Sequence, residues 1–368
     1  MLRGLLILTL ILLTSTGSVV SSATDDEPEP TVRGKTASQW IDILQKDPKP
    51  ERRQGALLAL AILGPKVPGV VVGAGAALAD SDIGVRRRAA QTLGEMGAGA
   101  KGAVDALAKA VKSDKEPNVR ESAARALGRI GPDAKSVASI LGDALQDEHA
   151  GTRAAAAEAL GRIGPATRAA LANLIATLQK DRDALVRGYA AYALGRLGKD
   201  AQSAVPSLAE RLSKDADSGV RRAAADALGA IGPAARLAVP ALGVALKDKH
   251  VEVRRASAEA LIKAGAEAKT ALSPLSAAFK DKDKLVRSLA IQCVGGLGRD
   301  AEPAVSSIVQ CLTDEAVEVR LVAVEELGRL GAVARSALPA LREVEKGDAR
   351  AAVREAAGEA VKKIETSP

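Results

Sequence analysis

Rings are almost missing from this chain: one Trp, one Phe and two Tyr stand among 368 residues. So few leave little with which to stack on bases, sugars or flavins, and nucleic acid is not an expected partner. Two His and two Cys are too few for an elaborate metal centre or a disulfide framework, so no metal and no cofactor is expected. Catalytic sets are equally thin. No Ser-His-Asp set can be assembled from His149 and His250, and neither Cys293 nor Cys311 sits beside a His. Gly295-Gly296 falls inside a helical pattern and is not a phosphate loop. What is present is 47% apolar, so the core has to be built from Ala, Leu, Val and Ile.

The first 35 residues read as lying outside the fold. Arg3, the apolar run Leu5 to Leu13 and the small residues ending at Ser21-Ser22-Ala23 have the form of a secretory signal, with cleavage expected after Ala23. The rival is an uncleaved anchor, but spanning needs about 20 apolar residues and Thr14 to Ser18 interrupt this run. Export implies a periplasmic or secreted protein with no membrane span after cleavage. Residues 24–35, TDDEPEPTVRGK, are polar and Pro-rich and read as an unstructured tether. Without residues 1–23 the net charge falls from +7 to +6, too modest an excess to imply nucleic acid.

Everything from residue 36 to about 366 is one motif repeated. Arg53, Arg86, Arg120, Arg153, Arg187, Arg221, Arg254, Arg287, Arg320 and Arg354 follow one another at 33 or 34 residues, and define units one to ten. Six residues before each stands an Asp, and eleven after each of the first nine stands a Gly. Within a unit such as Val220–Gly232 the apolar residues at −1, +3, +7 and +10 from the Arg keep the helical period and make one buried stripe. Gly at +11 ends that helix, because the closing conformation is easiest without a Cβ. A first helix precedes it, as in Ala204–Asp215 with Pro206 early. Two short amphipathic helices bury their apolar faces only by stacking on like neighbours. The expected fold is therefore all-α, a solenoid of about ten hairpins, on the order of 90 Å long at 8–10 Å per step.

The pattern D-x5-[VT]R-x2-A-A-x-x-L-G-x-[IL]-G-[PA] resembles the HEAT-repeat superfamily, and within it the short bacterial units called PBS-lyase HEAT-like repeats. The resemblance covers residues 36–366 and implies a HEAT-like solenoid; about function it implies little, since scaffolds, adaptors and a few enzymes share the repeat.

The ten copies can be compared with one another. Residues present in every copy serve the stack, and an exposed position that varies is where a task could be written. The Asp and Arg rows belong to the first kind. An Arg in the first turn of a helix faces the positive end of the helix dipole and needs an acid nearby. We expect a ladder, seen best in Asp114, Arg120, Asp147, Arg153, Asp181, Arg187, Asp215 and Arg221, in which each Arg bridges an Asp of its own or an adjacent unit. An anion-binding row is the alternative. Gly at +8, in seven units, implies close approach of successive second helices, since Gly inside a helix costs about 1 kcal/mol. Trp40 is expected to plug the open N-terminal end, and Lys362-Lys363 to mark a polar cap. His149 and His250 fall in turns three units apart, roughly 30 Å, too far to share a metal. Cys293 and Cys311 lie in consecutive units and could either bridge or pack as small apolar residues.

In HEAT-like stacks the second helices line the concave surface, where positions +1, +5 and +9 should be exposed. Four units carry an acid and a base at +5 and +9, for example Glu158–Arg162, which merely supports the helix. Two departures stand out. Arg125 with Arg129, a like-charge arrangement that costs helix stability, then Arg162, Tyr192 and Arg196, could make a cationic strip suited to an acidic segment, or simply a solvated basic face in which Glu158 offsets Arg162. Ile291, Leu321 and Val324 form a second, apolar candidate patch, which deeper packing would explain equally well. The leading expectation is a non-catalytic exported scaffold that binds a protein or acidic peptide on its concave face. An accessory factor for an anionic envelope polymer, a lyase-type enzyme and a plain spacer are the alternatives.

Overall fold

The computed structural model describes residues 29–368. Its twenty α-helices, among the described residues, pair into ten hairpins. The second helices are Pro50–Leu63, Ile83–Glu95, Pro117–Ile130, Ala150–Ile163, Ala184–Arg196, Ser218–Ile231, Val251–Ala264, Lys284–Gly295, Val317–Leu330 and Ala351–Thr366. The first helices are shorter, from six residues in Val305–Gln310 to ten in Ala37–Lys46. A 3-10 stretch such as Gly131–Val137 joins each later unit to the next. All nine glycines at +11 have positive φ, between 55° and 84°, so each second helix ends where a side chain would be strained. Ser218–Ala245 is long and apolar enough by composition to cross a membrane, but it breaks at Gly232 (φ 69°) and belongs to two successive units of the stack.

The core is one continuous seam of small aliphatic side chains, exemplified by Leu127, Leu160, Leu194 and Leu228 at +7, each essentially inaccessible. Successive second helices pack much more closely than successive first helices. Gly at +8 permits this. A Cβ on Gly128 would stand 2.8 Å from Ala159 Cα, and one on Gly195 2.9 Å from Ala227 Cα. A stack whose one layer is spaced more tightly than the other curves toward the tight layer. That puts the second helices on the concave side.

The Arg row reaches forward. Arg120 donates through Nη1 to the Asp114 carbonyl of its own unit (3.0 Å), and through Nε and Nη2 to both carboxylate oxygens of Asp147 in the next (2.7 and 2.9 Å). Asp147 Oδ1 also accepts the His149 amide (2.9 Å), which shapes the turn. Arg86, Arg153, Arg187, Arg221 and Arg254 repeat the pattern with Asp114, Asp181, Asp215, Asp248 and Asp281. The own-unit Asp thus contributes its carbonyl, and the carboxylate comes from the neighbour. Arg354, in the last described unit, has among the described residues only its bond to the Asp348 carbonyl (2.7 Å). His149 and His250 occupy helix N-cap positions, as their turn placement suggested.

The folded chain begins earlier than residue 36. Val32 and Lys35 pair across a turn at Arg33 (φ 50°) and Gly34 (φ 71°), and the Trp40 indole donates to the Val32 carbonyl (3.1 Å). Lys35 lies over the same ring, 5.6 Å from its centroid. Half-buried Trp40 therefore fastens the incoming chain, so the tether expected over residues 24–35 is ordered at its end. The signal reading of residues 1–23 lies outside the described residues.

One joint is irregular. At +6, where seven copies place Ala, unit nine has Glu326, only 8% exposed. Gly295 makes room for it, since a Cβ there would fall inside the Glu326 side chain. Arg329 stands against the carboxylate, yet burial holds the Glu326 carboxyl above its ordinary range. The rung beside it is also weaker: Arg287 reaches Asp314 through Nη2 (2.7 Å), and its buried Nε has no partner.

Two predictions follow from these contacts. Arg153→Ala strands the buried Asp181 carboxylate and should cost about 3–5 kcal/mol, whereas Arg354→Ala should cost under about 1 kcal/mol; urea melts followed by circular dichroism compare them. The second concerns pH. Burial acts to raise the carboxyls of Asp114, Asp147 and Asp181, but bonds from the preceding Arg and the turn amide outweigh it and hold them low. Their contribution is present above the unfolded value of about 3.9 and is lost as pH falls through the lower folded values. Glu326 has the opposite sign, because its folded value is raised. Glu326→Gln should therefore raise the melting temperature at pH 7, and the gain should shrink toward pH 4, near the unfolded glutamate value of about 4.3.

Candidate functional site

Positions +5 and +9 do face outward on the concave side. The +9 residue is exposed in all ten units, from Ile62 to Lys363. Its stem lies over the +8 glycine of the preceding unit, as Arg162 Cδ does over Gly128. Position +1 is mostly half-buried.

The expected like-charge clash in unit three is relieved by an acid at +1. Arg125 pairs with Glu121 one turn earlier (2.7 Å), and Arg162 with Glu158 (2.8 Å). Arg129 and Arg196 make no ion pair among the described residues. The five strip residues are thus split. Arg162, Tyr192 and Arg196 come together, while Arg125 and Arg129 stand on the neighbouring second helix and outside the groove described next.

That groove, of about 1360 Å³, runs over the second helices of units four to six. Small residues open it: Gly188 at +1 of unit five and Ala230 at +9 of unit six, where most copies carry a base. Its walls hold Leu185, Tyr189, Tyr192 and Arg196 of unit five, Glu158 and Arg162 of unit four, and Arg222 and Asp226 of unit six. Both tyrosines of the chain are here. The Tyr192 ring rests on Gly161, where a Cβ would meet it at 2.5 Å, and the residue is still 41% exposed. Leu185 is 59% exposed at the rim. Asp183 and Asp217, also in the lining, are committed to capping, accepting the Val186 and Val220 amides. The surface is therefore apolar at its centre and mixed in charge around it. Arg222 and Asp226, 3.9 Å apart, add one loose exposed pair.

Sequence reasoning missed Tyr189, Leu185, Arg222 and Asp226. Their signal was the pairing of the only two tyrosines three residues apart on one second helix, which puts them on one face.

The second candidate patch is corrected. Ile291 and Val324 are fully buried, and Leu321 is half-buried against the core. Position +4 belongs to the inner stripe, and is buried in unit three as Ala124 and in unit four as Ala157. A larger residue there fills the core rather than the surface. Cys293 and Cys311 are unbridged and buried, 4% and 6% exposed. Burial pushes their thiols up to about 12 and about 11, as expected for packing residues. Among the described residues no three His, Cys, Asp or Glu side chains gather as a metal site would need.

Comparison with known proteins gives the fold a family. A family profile described as HEAT repeats matches residues 37–121, 71–161, 104–195, 171–262, 205–295 and 272–362. No curated protein matches the chain. Among solved structures, an engineered protein is similar at 21% identity and TM-score 0.60, over 90% of this chain and 99% of its own. Kap95p, in a structure describing its binding to RanGDP, is similar at 12% identity and TM-score 0.57, over 89% of this chain and 50% of its own. The karyopherin Kap121p, bound to the extreme C-terminus of the protein phosphatase Cdc14p, shows 13% identity and TM-score 0.53, over 89% of this chain and 41% of its own. The chain thus spans about half or less of either natural relative, and at these identities the likeness concerns the fold. With the profile matching from residue 37 to residue 362 and ten stacked hairpins beneath it, the chain belongs to the HEAT-repeat family.

Proposed function

We propose that the protein is a non-catalytic, exported scaffold that takes an extended segment of a partner protein into the groove of units four to six. The observation that carries this reading is the convergence of Leu185, Tyr189, Tyr192 and Arg196 in one open groove of a chain otherwise almost free of rings. Exposed Tyr with a neighbouring Arg is the combination that anchors protein interfaces, because each offers large contact area and a polar tip. The length of the groove, three hairpins, suits a chain segment better than a small molecule. Kap121p, with a similar fold, is bound to a protein C-terminus, which supports a peptide as occupant.

An anionic polymer is the weaker reading. Arg125 and Arg162 hold acids of their own helices, and the groove lining has Glu158, Asp183, Asp217 and Asp226 against Arg162, Arg196 and Arg222. Export rests on the run Leu5 to Leu13 with Ser21-Ser22-Ala23 after it, and retention by an uncleaved anchor is the competing outcome.

A benzophenone amino acid in place of Ala223, on the groove wall, should cross-link a protein segment from an envelope extract. Tyr189→Ala with Tyr192→Ala should weaken binding of that partner by roughly thirty-fold, about 2 kcal/mol, with the helical signal unchanged. Cross-links to polysaccharide alone, or equal binding by the double variant, would sink the reading.

A further inference from the structure

A second surface lies away from the groove, on the edge formed by the turns between first and second helices. In every unit that turn carries the ladder Asp. In units seven and eight, and in no other successive pair, a Lys stands on both sides of it: Lys247 and Lys249 around Asp248, Lys280 and Lys282 around Asp281. All four are exposed, and all four line one cleft of about 730 Å³ between the two turns.

The acids of this cleft are already engaged. Asp248 is held by Arg221 (2.7 and 3.0 Å) and also accepts the His250 amide (2.8 Å). Asp281 is held by Arg254 (2.8 and 2.9 Å). Asp283, on the next turn of chain, is held by Arg255. None of the four lysines has a carboxylate within ion-pair distance among the described residues, whereas nearby Lys214 and Lys284 do, in Glu210 and Glu318. The cleft therefore keeps four uncompensated positive charges. Its frame is rigid, because Arg254 ties the Asp248 carbonyl (3.0 Å) to the Asp281 carboxylate across the two turns. Its floor is apolar, with half-buried Val251 and Pro274 and exposed Ala277.

We propose that this turn-edge cleft docks an acidic peptide segment of a partner protein, with apolar side chains between its carboxylates. Lysine ammoniums on flexible stems read charge density rather than a fixed fork geometry, and suit a chain of carboxylates. The apolar floor separates a peptide from a bare polyphosphate, which would leave that floor uncovered. This chain's own acidic stretch, residues 24–30, cannot arrive in cis: six hairpins at about 9 Å each exceed the reach of seven residues at about 3.4 Å. The surface is independent of the concave groove, so either can fail alone.

The test uses the full chain and a dye-labelled decapeptide of alternating Glu and Leu, followed by fluorescence anisotropy. Lys249→Glu with Lys282→Glu should weaken binding at least ten-fold. Lys101→Glu with Lys135→Glu, exposed changes elsewhere, and Tyr189→Ala with Tyr192→Ala should leave it within two-fold. A Gln–Leu decapeptide should bind at least ten-fold more weakly, and raising salt from 50 to 300 mM should loosen the acidic peptide several-fold, within the range expected as the Debye length shortens to about 6 Å. Unchanged binding by the Lys249/Lys282 variant overturns the proposal, as does loss confined to the tyrosine variant. Tighter binding of inorganic polyphosphate than of the peptide, or light scattering that shows copies of the chain associating through these lysines, also overturns it.

Discussion

The forward reach of the arginine holds this structure together. A helical hairpin of this size has no core of its own, and its arginine has no carboxylate of its own either. Arg120 takes the carbonyl of Asp114 and the carboxylate of Asp147, so one side chain fixes its own turn and the position of the next. The same Asp147 then receives the His149 amide and starts the following helix. Apart from the Arg287 rung, each rung is a bidentate, mostly shielded pair, the condition under which such a pair offsets its desolvation. Apolar burial and rungs both bind only nearest neighbours, so the energy of the stack is a sum over joints. The joint of units eight and nine is the irregular one, with Glu326 and the incomplete Arg287 rung, and the Arg254 and Arg320 rungs on either side of it are complete.

Much of this architecture was legible because repetition does the work of comparison. Arg at 33 or 34 residues, Asp six before and Gly eleven after give the hairpin, its end and its partner row from the chain alone. The positive φ at Gly64 and its eight equivalents, and the contact of Gly128 with Ala159, are direct consequences of those positions. The direction of the rungs was not legible. The Asp six residues before the Arg is nearer in sequence than the one a unit ahead, and only the packed stack shows that the carboxylate one unit ahead takes the guanidinium. Nor was the start of the fold, since Val32 and Lys35 hold to Trp40 by one indole bond and one ammonium over the ring, within a segment of tether-like composition.

The surface was read less well, for a reason that particular residues make clear. Ile291 and Val324 stand out from the Ala of most copies at +4 and suit a surface patch or deeper packing equally well in the sequence, and the structure decides for packing, since +4 lies on the inner stripe and varies in size with the local core. Arg125 and Arg129 looked like a repulsive pair because +5 and +9 were compared without +1, where Glu121 answers Arg125. Tyr189 at +2 escaped notice for the same reason: a groove is formed as much by what is small nearby, Gly188 and Ala230, as by what is large.

Charge on such a stack has a different value on its two surfaces. On a second helix an arginine finds an acid one turn away at little cost, as Arg125 and Arg162 do, so a basic row in the sequence overstates the field that reaches solvent. On the turn edge the only regular acid is the ladder Asp, and the preceding Arg has already taken it. Any lysine added to a turn therefore remains uncompensated unless a further acid is supplied, as Glu318 is for Lys284. Lys247, Lys249, Lys280 and Lys282 have none among the described residues. The same interaction that builds the solenoid thus concentrates free charge on the turns of units seven and eight, while along the concave helices it is left to single residues such as Arg129 and Arg196.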